Sequence, residues 1–341
     1  MKEFKGFMKG VDLGGWLSQC PPTFEHYESF ITEEDFKTLK SWGLDHVRIP
    51  VDFEAVETRD GAVREGGMEY VRRAADWCKK YDLNMVLDLH KTAGYSFASE
   101  YNENGFFTDA DLQERFIKLW ERFAKEFGNE SDYIAFELLN EVTDKSYSPT
   151  WNKIMEKCVA RIRVIAPDTW ILVGSYWNNS VSAVKDLPMP FDDRIVYNFH
   201  CYEPMVVTHQ GAGWVATMAA DFRTTYPKTF KEYRDETISM KLDTAVLEGY
   251  DDSAMMGPDF FESLFREALD VAKERDVNLY CGEYGVIDLA DVQTTLNWYK
   301  DITKVFDKYG IGRACWSYKR MNFGLNDEHY KPIIAEIIKC I

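Results

Sequence analysis

The sequence predicts a (β/α)8 barrel, an α/β fold, and three observations predict it. Short apolar runs of strand length alternate eight times with stretches of helical periodicity. Most of these runs end in a polar or aromatic residue suited to chemistry, as expected of a barrel whose active site lies on the C-terminal face of its strands. No Pro/Gly/Ser-rich linker, low-complexity stretch or short-period repeat divides the 341 residues, so one domain over 1–341 is expected.

In chain order, the first strand is expected at residues 6–13, ending at Gly14-Gly15-Trp16. Thr32 then caps a helix with Asp35 three residues on, a variant of the capping box, and Ile31 with Phe36 fits a hydrophobic staple. Gly43 is placed to end that helix. Residues 45–50 make the second strand. Tyr70, Ala74, Trp77, Cys78 and Tyr81 share one helical face. A third strand at 84–89 ends at His90. Phe116, Leu119, Trp120, Phe123 and Phe127 form another helical stripe, closed by Gly128.

The fourth strand opens the stretch 134–143, Ile-Ala-Phe-Glu-Leu-Leu-Asn-Glu-Val-Thr. It begins apolar, as a strand buried on both faces does, and stops at Asn140-Glu141. Ser148-Pro149 starts the next helix with Pro at the first helical position. Ile154, Cys158, Ile162 and Ile165 form its buried face. A fifth strand at 170–174 precedes a short helix near 181–187, and a sixth at 195–199 ends at His200.

From 203 to 258 the pattern turns polar, aromatic and Met-rich, with no clear strand. Phe261, Leu264, Phe265, Ala268, Leu269 and Ala272 resume a helix. A seventh strand at 279–282 ends at Glu283. Leu296, Tyr299, Phe306 and Tyr309 line the following helix, and an eighth strand at 313–315 ends at Trp316. A short helix at 332–338 closes the chain. The stretch 203–258 is then a long insertion after the sixth strand, on the active-site face. It far exceeds an ordinary βα connection of about 2–6 residues and is expected to be a substrate-handling subdomain, with Trp214, Phe222, Tyr226, Phe230 and Tyr233 available for a small core.

Composition excludes some functions. A net charge of −17 argues against nucleic acid or an anionic membrane as partner, since both need a basic footprint, and it favours a neutral substrate. An aromatic share of 15% suits a core and also a surface that stacks on sugar rings. The seven cysteines form no C-x-x-C pair, so neither a zinc cage nor a disulfide framework is expected, and free thiols suit a reducing compartment or an anaerobic habitat. The N-terminus from Met1 and Lys2 has no apolar leader region and no later run is long enough to span a membrane, so the protein is expected either not to be exported by this route or to have lost a leader. Asp251-Asp252 reads as a charged loop, and nothing in the residues demands a metal or cofactor. A monomer is expected.

The strand ends can now be read together. They carry Arg48, His90, Asn140 and Glu141, His200 and Tyr202, Glu283, and Trp316. Singly, each has a plainer reading: Arg48 as the partner of a core carboxylate, His90 and His200 as satisfied core histidines, Tyr202 and Trp316 as packing residues, Glu283 as a turn residue. In a closed barrel they converge on one pocket. Two facing carboxyl groups with Arg, His, Asn, Tyr and Trp around them suit glycoside hydrolysis, in which one acid must be protonated while the other is ionised. Trp177, after the fifth strand, and Trp214, in the insertion, are weaker candidates for sugar platforms, and core packing serves as well for Trp177.

The stretch 134–143 resembles the catalytic motif of glycoside hydrolase family 5, the cellulase A family. So do Asp45-His46-Val47-Arg48-Ile49-Pro50, Leu87-Asp88-Leu89-His90, Asn198-Phe199-His200-Cys201-Tyr202, Gly282-Glu283-Tyr284-Gly285 and Trp316, in the same order over essentially the whole chain. Leu13-Gly14-Gly15-Trp16 and the long insertion are most similar to the C-type clostridial endoglucanases. The resemblance implies Glu141 as general acid/base, Glu283 as nucleophile, and Asn140 on the 2-hydroxyl of the attacked sugar. It implies Arg48 and Tyr202 as hydrogen-bond donors to Glu283, His200 beside Glu141, His90 beside the −1 sugar and Trp316 stacked on that sugar. One departure is Lys91, where many members carry a second His, which implies altered contacts in the −1 or −2 subsite. The expected function is a retaining endo-β-1,4-glucanase acting on cellulose-like and mixed-linkage β-glucans. A β-mannanase, a xyloglucanase or an exo-β-1,3-glucanase is the alternative within the family. Outside it stand a non-catalytic carbohydrate-binding barrel, which would need neither acid, and a metal-dependent barrel hydrolase.

Overall fold

Eight parallel strands pair in chain order and the last returns to the first: β1 (Lys9–Asp12), β2 (His46–Asp52), β3 (Asn84–Lys91), β4 (Ile134–Glu137), β5 (Ile171–Val173), β6 (Ile195–Cys201), β7 (Asn278–Tyr284) and β8 (Gly312–Cys315). Lys9, Gly10 and Val11 stand opposite Arg313, Ala314 and Cys315, which closes the barrel. The structure is a computed structural model and describes residues 3–98 and 103–341; Met1 and Lys2, on which part of the leader reading rests, lie outside the described residues. Among the described residues no helix is long and apolar enough to cross a membrane.

Helices cover the outside of the barrel, among them Glu33–Ser41, Gly67–Lys80, Ala110–Phe127, Ser148–Ile165, Pro258–Glu274 and Val292–Tyr309. Local chemistry starts and stops them. Asp35 Oδ2 accepts from the Thr32 backbone N–H at 2.8 Å, the reciprocal half of the capping box. Gly43 takes a left-handed φ of 81° just beyond that helix. Where a short helix is expected after β5, a 3-10 segment, Val181–Asp186, forms, capped by Ser180. The last helix is Ile334–Cys340, slightly later than its periodicity suggests.

Three strands are shorter than the apolar runs predict, β5 by one residue at each end and β1 and β4 by more. β1 starts only at Lys9 because Gly6, with φ 83°, turns the chain so that Phe4 and Phe7 fold under the barrel. There they stack, with centroids 4.2 Å apart, and plug its lower end against Val86, Ala135, Leu172, Val196, Tyr280 and Ala314. β4 stops at Glu137, but the chain stays between its neighbours: Leu138 N–H donates to Leu172 O and Asn140 N–H to Leu89 O, both at 3.2 Å.

Four buried tryptophans fix the loops that follow the strands. The indole N–H of Trp16 donates to Tyr27 O, of Trp120 to Leu138 O, of Trp151 to Gly174 O and of Trp298 to Glu203 O, at 2.9–3.0 Å. Each ring fills the layer between helix and sheet, while its one polar atom ties down a carbonyl that would otherwise be buried unpaired. Three of these carbonyls lie within four residues of a candidate site residue.

The segment 203–258 contains no strand; its main helix is Phe230–Ser239. Its apolar residues do not form a separate core. Val206, Val207, Tyr226, Phe230, Tyr233, Leu247 and Met256 belong to the same contiguous cluster as the barrel's outer layer, while Phe222 packs against it half-buried. Tyr226 also donates its hydroxyl to Asp301 at 2.8 Å and its N–H to Thr294 Oγ1 at 3.0 Å, so the segment is stitched to Val292–Tyr309. All seven cysteines are free thiols.

Candidate active site

In a strand, residues two apart share a face. The inner faces therefore read Val86-Asp88-His90 in β3, Ala135-Glu137 in β4 and Val196-Asn198-His200 in β6, and Ala314-Trp316 in β8 and just beyond it. The lower members are the apolar plug described above. The upper members form a polar floor, which opens at the C-terminal face into the cleft. Glu283 reaches that cleft by an irregularity. Phe199 pairs with Cys281 but His200 pairs with Glu283, so Gly282 is an extra residue in β7. This bulge reverses the alternation and turns Glu283 inward. Gly282 also must lack a side chain: a Cβ there would lie 2.7 Å from Asn198 Oδ1, and its N–H donates to that same oxygen at 2.9 Å.

Arg48, wholly buried, is the hub of the floor. Its Nε and Nη2 donate to Glu137 Oε2 and Oε1 at 2.7 and 2.8 Å, and Nη2 also donates to Asn140 Oδ1 at 2.8 Å. Nη1 donates to Asp12 Oδ1 at 3.1 Å and to Glu283 Oε1 at 2.9 Å, and Asp88 Oδ2 lies 3.1 Å from Nη2. One guanidinium thus faces four carboxyl groups. Burial works against its charge, but Asp88, Glu137 and Asp12 outweigh that and raise its pKa well above the usual value. Burial also pushes Asp12 strongly up and Asp88 to about 7, with Arg48 opposing in both. Asn198 Nδ2 donates to Glu137 Oε1 at 2.8 Å and so joins the hub to the β7 bulge.

Tyr202 Oη donates to Glu283 Oε2 at 2.9 Å. Both oxygens of Glu283 thus accept from fixed donors, which aims the carboxyl group into the cleft. Across the cleft, Glu141 Oε1 lies 2.8 Å from His200 Nδ1, and Oε2 accepts from Asn178 Nδ2 at 2.7 Å. Burial raises the pKa of Glu141, with Asn178, His90 and Arg48 pulling the other way. Burial lowers that of His200 to about 4, which leaves the ring neutral at neutral pH. One oxygen of each glutamate and a ring nitrogen of His200 all lie within 4.8 Å of one another. That spacing would also suit a metal ion, and each of the four carboxylate oxygens faces a hydrogen-bonding side chain.

His90 Nδ1 is held by Asp88 Oδ2 at 2.6 Å, and its ring lies parallel to Trp316, with an interplanar angle of 2° and centroids 5.7 Å apart. Among the described residues His90 Nε2 is buried without a partner. Gly14 makes room for Trp316: a Cβ there would meet the indole at 2.6 Å. Lys91 pairs with Glu54 at 2.9 Å and lies 3.6 Å from Asp52, beside the cleft. Trp177 and Trp214 are 53% and 55% exposed, unlike the buried tryptophans of the core. Trp177 adjoins Asn178, while Trp214 leans on His209 and Phe323 near Tyr202. The sequence reading does not single out Asp12, Asp88, Glu137, Asn178 or Asn198. Four of them sit at inward positions of strands, where the alternation could have marked them. Asn178 lies in a loop and carries no such signal.

A model of the family described as Cellulase (glycosyl hydrolase family 5) matches residues 10–322. Cellodextrinase A of Ruminococcus flavefaciens is 44% identical over 315 residues, 92% of this chain and 86% of that protein. Endoglucanase C of Acetivibrio thermocellus is 37% identical over 339 residues, 98% of each. Among solved structures, endoglucanase Cel5A from Thermotoga maritima superposes with a TM-score of 0.77 at 21% identity, covering 98% of this chain and 97% of that one. A hyperthermophilic endo-β-1,4-glucanase in complex with substrate gives 0.75 at 22% identity, with the same coverage. At such identities these two structures speak to the fold alone.

Proposed function

The chain belongs to glycosyl hydrolase family 5, the cellulases, and from that premise we infer that it is an endo-β-1,4-glucanase that hydrolyses internal bonds of β-glucans with retention of configuration. The observation that carries this reading is the approach of Glu141 and Glu283 to within 4.8 Å in different hydrogen-bonding settings. A retaining pair stands about 5–5.5 Å apart, whereas an inverting pair needs about 6.5–9.5 Å to admit a water.

Roles follow from those settings. Glu283, held by Arg48 and Tyr202, attacks the anomeric carbon as the leaving oxygen takes the proton of Glu141. Glu141, with its pKa raised by burial, is the group able to carry that proton towards neutral pH. In the second step Glu141 takes a proton from water, whose oxygen bonds the anomeric carbon as Glu283 departs. Asn140, with its amide oxygen on Arg48, keeps its NH2 for the 2-hydroxyl of the −1 sugar. His90 Nε2 is available to another hydroxyl, and Trp316 offers its face to the ring. Lys91 and its acids line the glycon side. Trp177, next to Glu141's partner, and Trp214, next to that of Glu283, are platforms for sugars beyond the cleaved bond. We take 203–258 as the wall that carries Trp214, and the protein as a monomer.

Activity on mixed-linkage β-glucan, carboxymethylcellulose, glucomannan, mannan and laminarin, with product lengths, tests the reading. Mixed-length products from the first two are expected. Attack confined to mannan or laminarin would overturn it.

A further inference from the structure

We propose that Asn178 is a positioning residue for Glu141: its amide holds Oε2 and sets how readily the carboxyl takes up and gives up its proton. The proposal rests on the acid/base reading above. Its first support is backbone conformation. Trp177, Asn178 and Asn179 take φ of 51°, 56° and 56°, three consecutive left-handed residues without a glycine. Single Asn residues visit that region, but a run of three persists only where the surroundings impose it. Here they do. Trp151 anchors Gly174 O, Asn178 N–H donates to Val142 O at 3.0 Å, and Asn179 Nδ2 donates to Asn140 O. A Cβ on Gly174 would meet Asn179 Oδ1 at 2.2 Å, so the glycine makes the seat for that side chain. The turn is therefore tied on both sides to the residues that flank Glu141.

The second support is what the turn delivers. Asn178 is exposed and is not a packing residue, yet its Nδ2 reaches in to Glu141 Oε2 at 2.7 Å, the one side-chain hydrogen bond it makes among the described residues. The charged and titratable groups around Glu141 are His200 at Oε1, Glu283 opposite, Arg48 and His90 from β2 and β3, Asp88 below, and Tyr202. Tyr95 holds its backbone carbonyl, and Lys145 lies outside, 5.6 Å from the Trp177 ring. The direct donor to Oε2 is the amide, which does not titrate. Hydrolysis asks Glu141 to give its proton to the leaving oxygen as the glycosidic bond breaks, then to take one from water as the glycosyl–Glu283 bond breaks. A fixed donor on Oε2 stabilises the ionised form that links the two steps.

The test uses Asn178→Gly, because glycine keeps a left-handed turn without strain and removes only the amide, and Asn178→Asp, which keeps size and turn tolerance but faces Glu141 with a second carboxyl group. The pH profile of kcat/KM on cellotetraose is the readout. In N178G the alkaline limb should move up by roughly half a unit to one unit, the worth of a hydrogen bond to a charged group at a partly open site. In N178D it should move further. An alkaline limb that stays at its wild-type position in folded N178G overturns the proposal, whatever the loss of kcat. Wild-type enzyme on a dinitrophenyl β-cellobioside separates the two claims. That leaving group needs little protonation, so its alkaline limb should be weaker than that for cellotetraose. If it is weaker and N178G leaves the cellotetraose limb in place, only the role of Asn178 falls. If the two substrates share one limb, the acid/base reading falls and takes this proposal with it.

Discussion

Arg48 and Glu137 meet as two planar groups, wholly buried, with Nε–Oε2 and Nη2–Oε1 at 2.7 and 2.8 Å. The fork fixes the guanidinium in its plane, and the remaining nitrogen, Nη1, is thereby aimed at Glu283. Glu137→Gln keeps the shape but cannot accept on both atoms. It should cost about 2–4 kcal/mol of stability, by analogy with the loss of one partner of a buried pair, read from urea unfolding. It should also lower kcat at least about tenfold with little change in KM, because Glu283, the proposed nucleophile, loses its aim.

Hydrolysis should proceed with retention. Proton NMR of the first product from a β-glucan oligosaccharide should show the β-anomer before mutarotation, given the close approach of the two acids. A first α-anomer would refute the double displacement.

The two acids should fail differently. Glu283→Gln should lose activity on every glycoside, about 10⁴-fold or more, since no bond to the anomeric carbon can form. Glu141→Ala should retain turnover of aryl glycosides with activated leaving groups and be rescued by azide. Equal, unrescued losses in both variants would contradict the assignment.

The alkaline limb of kcat/KM should report Glu141. Its pKa is raised by burial, and in the proposed mechanism the protonated form is the competent one. Activity is therefore held at pH below that raised value and lost as pH rises through it. Adding a carboxylate nearby should move the limb up and adding a cation should move it down, measurable with paired surface variants around Lys145.

Trp177→Ala and Trp214→Ala should leave thermal stability nearly unchanged, since both rings are more than half exposed. Each should lower kcat/KM on long glucans about tenfold, the worth of one lost apolar platform, while an aryl cellobioside is spared by at least one of them. Point variants suit this test better than excision of 203–258, because Tyr226, Phe230 and Tyr233 are part of the barrel's own core and their removal would expose it.

Much of this was legible in the sequence for a physical reason. Strands buried on both faces are written as unbroken apolar runs, and a polar residue at or near the end of a run stands out against them, which is how His90, Asn140, Glu141, His200, Glu283 and Trp316 can be picked out, whereas Arg48, expected at a strand end, lies within β2, which runs on to Asp52. Glu137 and Asp88 are harder because they interrupt those runs from within, where a charge reads as noise until the alternation of strand faces is applied. The bulge at Gly282 hides further, since strict alternation would place Glu283 on the outer face. Asn178 is the least legible. Its position depends on three left-handed residues imposed by Trp151, Gly174 and Val142, contacts that join distant stretches of chain and that no local pattern encodes.

The hub at Arg48 has a further consequence for how this enzyme comes into being. Its partners arrive from β1, β3, β4 and β7, so no contiguous fragment short of nearly the whole chain contains all the groups that hold Glu283. A chain stopped after β4 would contain Arg48, Asp12, Asp88 and Glu137 but would lack Glu283 and Tyr202. Turnover regained on refolding therefore reports closure of the whole barrel, because only the closed ring of strands brings Glu283 to Arg48.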